Sequence, residues 1–321
     1  MQFLLSLKTN LLAMGQVFIL GSIGFYILKR GILGQCCLRT ISNLVVDVTL
    51  PCFVFTNILM NFHLVKNERW YLFPVYCLAL FAAAGGAAWG VASLDRGMVR
   101  KKEFISLVTF QNSGFLPIIL IGTLLPAAAA GRMYVYVFLF LLAYNPVLFT
   151  LGESIYSQSG GRHINWKNFF NPSSVATVAS LALALAGWEK DVPKVVFEPM
   201  KMLGNTTIPL SMVVIGGIVT VNFSSKKKFP AVYALKASVL KLVLIPVAVY
   251  FALSLLRMQP EAKYIIVLEA MMPPATMLPL LAEKYDGDYE LTGQMLFWIT
   301  LLSLVTAPVL MSLLKVTLAA G

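Results

Sequence analysis

Residues 110–122 read FQNSGFLPIILIG, and residues 269–285 read EAMMPPATMLPLLAEKY. Each stretch is apolar at its flanks and carries helix-breaking chemistry in its middle: Asn112, Ser113, Gly114 and Pro117 in the first, Pro273, Pro274 and Pro279 in the second. A proline inside a helix removes one hydrogen bond and clashes with the preceding turn, at a cost of about 3 kcal/mol. Lipid offers no water to replace that bond, so helices broken at membrane depth have to line a protein-enclosed cavity. Interrupted apolar segments at corresponding places in two halves of a chain point to a midplane binding site. If the two breaks cross, the half-helices starting near Pro117 and Pro279 aim N–H groups and positive dipole ends at the crossing, an arrangement suited to an anion. Asn112 beside one break and Thr276 beside the other add polar side chains. The alternative is a pair of proline kinks packed in a bundle without a ligand.

The rest of the chain supports a membrane setting. Its 321 residues are 59% hydrophobic and 12% charged, with mean hydropathy +0.80, whereas soluble domains carry charge on about 25% of residues. Ten apolar stretches of spanning length can be marked, at 10–28, 41–60, 70–94, 104–125, 133–156, 172–188, 197–221, 229–256, 263–283 and 291–314. The longest linker, SQSGGRHINWKNFFN at 157–171, divides the chain into residues 1–156 and 172–321, with five stretches each. An odd-numbered unit repeated in tandem inserts its second copy upside down. Proline spacing agrees: Pro51, Pro74, Pro117 and Pro146 are 23, 43 and 29 residues apart, and Pro209, Pro230, Pro279 and Pro308 are 21, 49 and 29 apart. The expected fold is an all-α integral membrane protein of ten transmembrane helices in two inverted five-helix repeats, with helices 4 and 9 broken and crossing.

The net charge of +11 fits the positive-inside bias of membrane loops better than nucleic-acid binding, and no nucleic-acid partner is expected. Loops following odd-numbered stretches hold thirteen Lys and Arg against ten on the other side, and the clusters RKK (100–102) and KKK (226–228) fall together. That side, with the linker 157–171, is therefore expected to be cytoplasmic and both termini outside, in a bacterial inner membrane. The first apolar stretch, Leu11 to Leu28, is too long for a signal-peptide core and reads as a span. The four cysteines, Cys36, Cys37, Cys52 and Cys77, have no histidine cluster or second CxxC to complete a metal set. Neither HExxH, GxSxG, GxGD nor a Walker A sequence occurs, so no enzyme, no ATP-driven pump, no cofactor and no metal are expected.

Ionisable residues within spans are costly and point to function unless they lie near helix ends. Glu269 lies five residues before Pro274, about 7.5 Å of helix from the break, and is the first candidate for a proton-carrying carboxylate; a structural salt bridge is the other reading. Asp47, four residues before Pro51, and Lys241, deep in the eighth stretch, are further coupling candidates. Asn145, in Tyr144-Asn145-Pro146, either adds a polar group to the cavity or serves the backbone freed by Pro146. Glu198 and Lys201, three apart, are expected to pair. Sodium sites need several oxygen ligands, and no such set is apparent in the sequence.

These motifs resemble the auxin efflux carrier family across essentially the whole chain. LPCFVFTNI (50–58), QNSGFLP (111–117), LGNTTIPLSMVVIGG (203–217) and PPATMLPLLAEKYDGDYEL (273–291) look like the family's second, fourth, seventh and ninth helices. The resemblance implies the fold shared with bile-acid carriers: helices 1, 2, 6 and 7 as a scaffold, helices 3–5 and 8–10 as a transport domain moving like an elevator, and a homodimer. It implies a secondary transporter of small organic anions, either auxin-like acids or short mono- and dicarboxylates. By the same resemblance Asn112 contacts the substrate carboxylate, while Pro117, Pro274 and Pro279 shape the crossing. The short linker departs from the plant carriers, whose long central loop is missing, and looks bacterial. A sodium-coupled carrier of the bile-acid type, or a receptor that kept the fold without transport, are the competing expectations.

Overall fold

A computed structural model describes residues 2–156, 170–222, 231–256, 258–285 and 287–314. The described residues are helical almost throughout: α1 (Gln2–Lys29), α2 (Gln35–Leu44), α3 (Leu50–Asn61), α4 (Phe73–Leu94), α5 (Lys101–Thr109), α6 (Leu116–Leu124), α7 (Ala127–Tyr156), α8 (Pro172–Ala186), α9 (Lys194–Asn205), α10 (Thr207–Asn222), α11 (Ala231–Val239), α12 (Ile245–Ser254), α13 (Pro260–Met271), α14 (Leu278–Lys284) and α15 (Tyr289–Leu313). Five stretches among them are long and apolar enough to cross a membrane: Cys37–Leu64, Trp70–Leu94, Ala129–Tyr156, Ala231–Ser254 and Tyr289–Leu313. Of the other apolar stretches, the first lies within the 28-residue α1, the sixth forms the shorter α8, and three are interrupted, α5 with α6, α9 with α10 and α13 with α14.

Local chemistry explains most boundaries. Pro117 and Pro279 occupy the first turns of α6 and α14, where the missing N–H is no loss. Gly187, at φ +78°, closes α8 in the left-handed conformation that a side chain disfavours. Asp288 caps α15 by accepting from the Leu291 N–H at 3.0 Å. Pro146 and Pro308 lie inside α7 and α15. Two π-helical turns, Val45–Thr49 and Leu240–Leu244, join α2 to α3 and α11 to α12, each just before a proline. Such an insertion rotates the following side chains relative to a regular helix and is frequent at functional sites.

The helices form two sets of neighbours that also pack on each other, α1 along α15 and α6 and α3 along α7. α1 lies along α10, and α3 along α8 and α9. The first contact is close because it uses glycine: a side chain at Gly216 would overlap the carbonyl of Gly21, and one at Gly24 would overlap that of Val213. α4 packs on α5 and α7, α12 on α13, and α14 on α15. At the centre of this second set, Phe104, Phe110, Phe138, Phe140 and Tyr136 are wholly enclosed, and Tyr136 stacks on Phe73 at 4.3 Å. The core holds the two broken helices face to face.

Candidate functional site

The breaks meet. α5 ends at Phe110 and α13 at Met272, both in extended conformation. Between them the chain forms an isolated antiparallel bridge, Gln111 opposite Pro274. The Asn112 N–H donates to the Pro273 carbonyl at 2.7 Å, and the Ala275 N–H donates to the Phe110 carbonyl at 3.0 Å. Bonds on either side of the pair make Gln111 and Pro274 a non-hydrogen-bonded pair, so the N–H that Pro274 lacks is not missed. Backbone groups released by each break are thus satisfied by the other, which is how irregular backbone is sustained away from water. The Tyr144 hydroxyl, from α7, adds a hydrogen bond to the Gln111 carbonyl.

The structure brings most of the sequence-derived residues to this crossing. Asn112 and Ser113 are buried, and Gly114 is half-buried. The Asn112 side chain accepts from the Phe115 N–H at 3.3 Å, just ahead of α6, which leaves its NH2 group as the donor end. Pro273, Pro274 and Pro279 are buried, and Thr276 is partly exposed in the second break. Pro117 opens α6, a helix of nine residues, whereas α14 has only seven; α6 is the better formed of the two dipoles at the crossing. Glu269, in the last turn of α13, has no exposed surface, and Ser113 faces it. The hydrogen-bond geometry between them is not met, so both Glu269 carboxylate oxygens and the Ser113 hydroxyl stand without a protein partner. Lys241, 1% exposed on the second π turn, is an electrostatic neighbour of Glu269; among the described residues it forms no ion pair within 4.0 Å.

Other residues lie elsewhere. Asp47 is exposed on the first π turn, whose neighbours are α2, α3 and α8 to α10 rather than the crossing. Asn145, next to Tyr144, is half-buried on α7. Glu198 and Lys201, expected to pair, form no ion pair within 4.0 Å among the described residues; Glu198 points to the surface. The clusters at 226–228 and 157–169 fall outside the described residues.

Sequence reasoning missed a charged group on the opposite end of α13. Arg132, at the start of α7, lies 3.2 Å from Glu261 and 3.7 Å from Glu68. Its partner Glu68 lines a cavity of about 510 Å3, together with Arg69, Trp70, Phe73, Tyr136 and Gln259, among others. Burial raises the Glu68 carboxyl above its ordinary range, Arg132 draws it back, and Glu261 adds to the rise. At the far end of α4, the Lys236 ammonium hydrogen-bonds Asp95 at 2.6 Å and holds that carboxyl below its usual range. No sequence signal links these pairs, since Arg132 and Glu261, and likewise Lys236 and Asp95, lie more than a hundred positions apart.

A family described as membrane transport protein matches the chain twice, over residues 10–163 and 159–311. The chain belongs to that family, the auxin efflux carriers. As a family member it is an integral membrane transporter and not an enzyme. It is 27% identical over 297 residues to an uncharacterized transporter of Methanothermobacter thermautotrophicus, covering 91% of this chain and 94% of the relative. A second uncharacterized transporter, from Methanocaldococcus jannaschii, is 22% identical over 303 residues, covering 90% and 94%. A transporter of Schizosaccharomyces pombe, also uncharacterized, is 30% identical over 110 residues, covering 34% of this chain and 24% of the relative. The paired family matches fall on the two parts of the carrier that contribute one broken helix each.

Proposed function

We propose that this carrier moves small organic anions, auxin-like acids or short mono- and dicarboxylates, by alternating access, with Asn112 at the crossing as the carboxylate contact. The carrying observation is the hydrogen-bonded crossing itself: two interrupted helices held together by the Asn112–Pro273 and Ala275–Phe110 bonds, with the Asn112 side chain on the Phe115 N–H just ahead of α6. A short helix start with an uncharged amide holds an anion by dipoles and hydrogen bonds, weakly enough for release.

The full architecture in this reading is ten spans in two inverted halves, residues 1–156 and 172–321. The double family match and the parallel positions of Pro117 with Pro279 and Pro146 with Pro308 support it. The neighbour sets support a scaffold of α1 to α3 with α8 to α10, against a moving domain of α4 to α7 with α11 to α15. An elevator movement within a homodimer completes the proposal, with Glu269 and Lys241 as the groups that couple transport to an ion. Reconstitution into liposomes and uptake of labelled mono- and dicarboxylates tests it, after a thermal-shift screen of such acids, because a ligand that prefers the folded state raises its apparent stability. Failure of every such acid to bind or be transported would overturn the anion reading.

A further inference from the structure

The cavity at the end of α13 away from the crossing is walled largely by one short stretch of sequence, Asn67-Glu68-Arg69-Trp70, and by the start of α4. The Glu68 N–H donates to the Val65 carbonyl at 2.9 Å, which fixes the turn, and a 3-10 turn over Trp70–Leu72 leads into α4. Residues three apart fall on one side of such a turn and of the helix it enters, so Trp70, Phe73 and Tyr76 share a face. All three line the cavity, together with Tyr136 of α7. Phe73 stacks on Tyr136 at 4.3 Å and meets Tyr76 edge-on at 5.8 Å. At about 510 Å3 the space is of the size that small organic ligands occupy, roughly 300 to 1,000 Å3.

Two polar atoms of this wall lack what burial requires. The Tyr136 hydroxyl, on a residue with 0% exposure, and the Oε2 oxygen of Glu68 have no hydrogen-bond partner among the described residues. Buried polar groups in folded proteins nearly always have one, so both call for an occupant. An ionised carboxylate only accepts hydrogen bonds, and the missing partner of Glu68 is therefore a donor. The charge gives the occupant its sign. Glu68 and Glu261 share the guanidinium of Arg132, at 3.7 and 3.2 Å, which leaves one negative charge of that cluster uncompensated. Arg69, the cation of the cavity wall, is exposed, where water and salt screen it. Aromatic rings attract a cation over their faces and give an apolar body a packing surface. An inorganic cation would satisfy the carboxylate but leave Trp70, Phe73 and Tyr76 without a use, and water would leave the charge unbalanced.

We propose that this cavity binds a small organic ammonium ion, its N–H groups on Glu68 Oε2 and the Tyr136 hydroxyl and its apolar body against Trp70, Phe73 and Tyr76. The site is separate from the crossing: Glu261 stands in the first turn of α13 and Glu269 near its end, about 12 Å of helix apart. It does not depend on which anion the carrier moves. An occupant there touches residues of α4, α7 and α13 together, and so acts on the set of helices that holds both broken segments.

The test is calorimetric titration and thermal unfolding of the purified protein at neutral pH and fixed ionic strength, with phenethylammonium chloride as the probe. Phenethyl alcohol is its uncharged counterpart and phenylacetate its anionic one. The ammonium ion should bind saturably and raise the unfolding temperature. The alcohol should bind at least about tenfold more weakly, since it lacks the charge that Glu68 calls for. Phenylacetate should not displace the ammonium ion. Glu68→Gln should weaken ammonium binding at least about tenfold, and Tyr136→Phe, which removes a single oxygen, about fivefold. Absence of saturable ammonium binding, equal binding of the alcohol, displacement by phenylacetate, or parent affinity in Glu68→Gln overturns the site. If Glu68→Gln does not fold, parent affinity in Tyr136→Phe does the same.

Discussion

The Asn112 N–H reaches the Pro273 carbonyl at 2.7 Å, joining residues about 160 positions apart across two broken helices. Because the backbone of Asn112 is committed to the crossing and its side-chain oxygen to the Phe115 N–H, only its NH2 group is left to a substrate. The residue therefore has a structural and a binding duty, and substitutions can separate them.

Asn112→Ala is expected to lose about 1 to 3 kcal/mol of anion binding, or roughly 5- to 150-fold in affinity, by removing a hydrogen bond to a charged group. It also removes the hydrogen bond accepted from the Phe115 N–H, at about 0.5 to 1.5 kcal/mol of stability. Asn112→Asp keeps that accepting oxygen but buries a negative charge beside the substrate, so it should lower thermal stability and bind anions more weakly than the alanine variant. Calorimetric titration and thermal unfolding on the three proteins check both halves.

Glu269→Gln should bind the organic anion but no longer accumulate it against a gradient, because the group that exchanges its charge with an ion is gone. The measurement is steady-state accumulation in liposomes with and without an imposed ion or pH gradient; accumulation that still follows the gradient removes Glu269 from the coupling.

At the other end of α13, Arg132→Met leaves the Glu68 and Glu261 carboxylates facing each other without their shared cation. The loss of stability should be about 1 to 3 kcal/mol, between that of an exposed ion pair and a buried one. The folded-state carboxyl of Glu68 is raised above its ordinary value of 4.5, so the stability from its protonated form is full below that value and lost as pH rises through the raised one. The variant should accordingly lie closest to the parent in acid and fall away as Glu68 ionises. Unfolding temperatures from pH 4 to pH 8 test the sign.

The Lys236–Asp95 pair at 2.6 Å and the Tyr233 hydroxyl donating to the Gly97 carbonyl at 2.9 Å hold the end of α4 and the start of α11 together, so both belong to one face. The loop-charge bias predicts that this face is the cytoplasmic one. In a background without Cys36, Cys37, Cys52 and Cys77, a cysteine replacing Lys227 should resist an impermeant reagent in intact cells, and one replacing Asn67 should react. Reaction at position 227 would reverse the orientation.

Gly216→Ala is expected to part α1 from α10, since the added carbon overlaps the Gly21 carbonyl. Overpacking of this kind costs about 1 to 3 kcal/mol. Gly15→Ala, where a side chain meets open space, should be near neutral in the same unfolding assay.

Membrane character and the two broken stretches were legible in the sequence, because each depends on composition or on the chemistry of immediate neighbours. Proline cannot donate, glycine and asparagine tolerate unwound backbone, and a run of apolar residues demands lipid or a core, whatever the rest of the chain does. The placement of Pro117 and Pro279 at helix starts follows from the same local rules. Which residues meet across the breaks does not. The pairing of Gln111 with Pro274 sets which side Ser113 faces, and a π turn decides where Lys241 points; neither is contained in a periodicity. Asp47 and Lys241 looked alike as charges in apolar segments, yet one reaches the surface and the other is enclosed near Glu269. Arg132 became the partner of Glu68 and Glu261 only when α7 and α13 packed side by side. Tertiary structure decided these matters because the partners are far apart in the chain, and only the packing of whole helices brings them together.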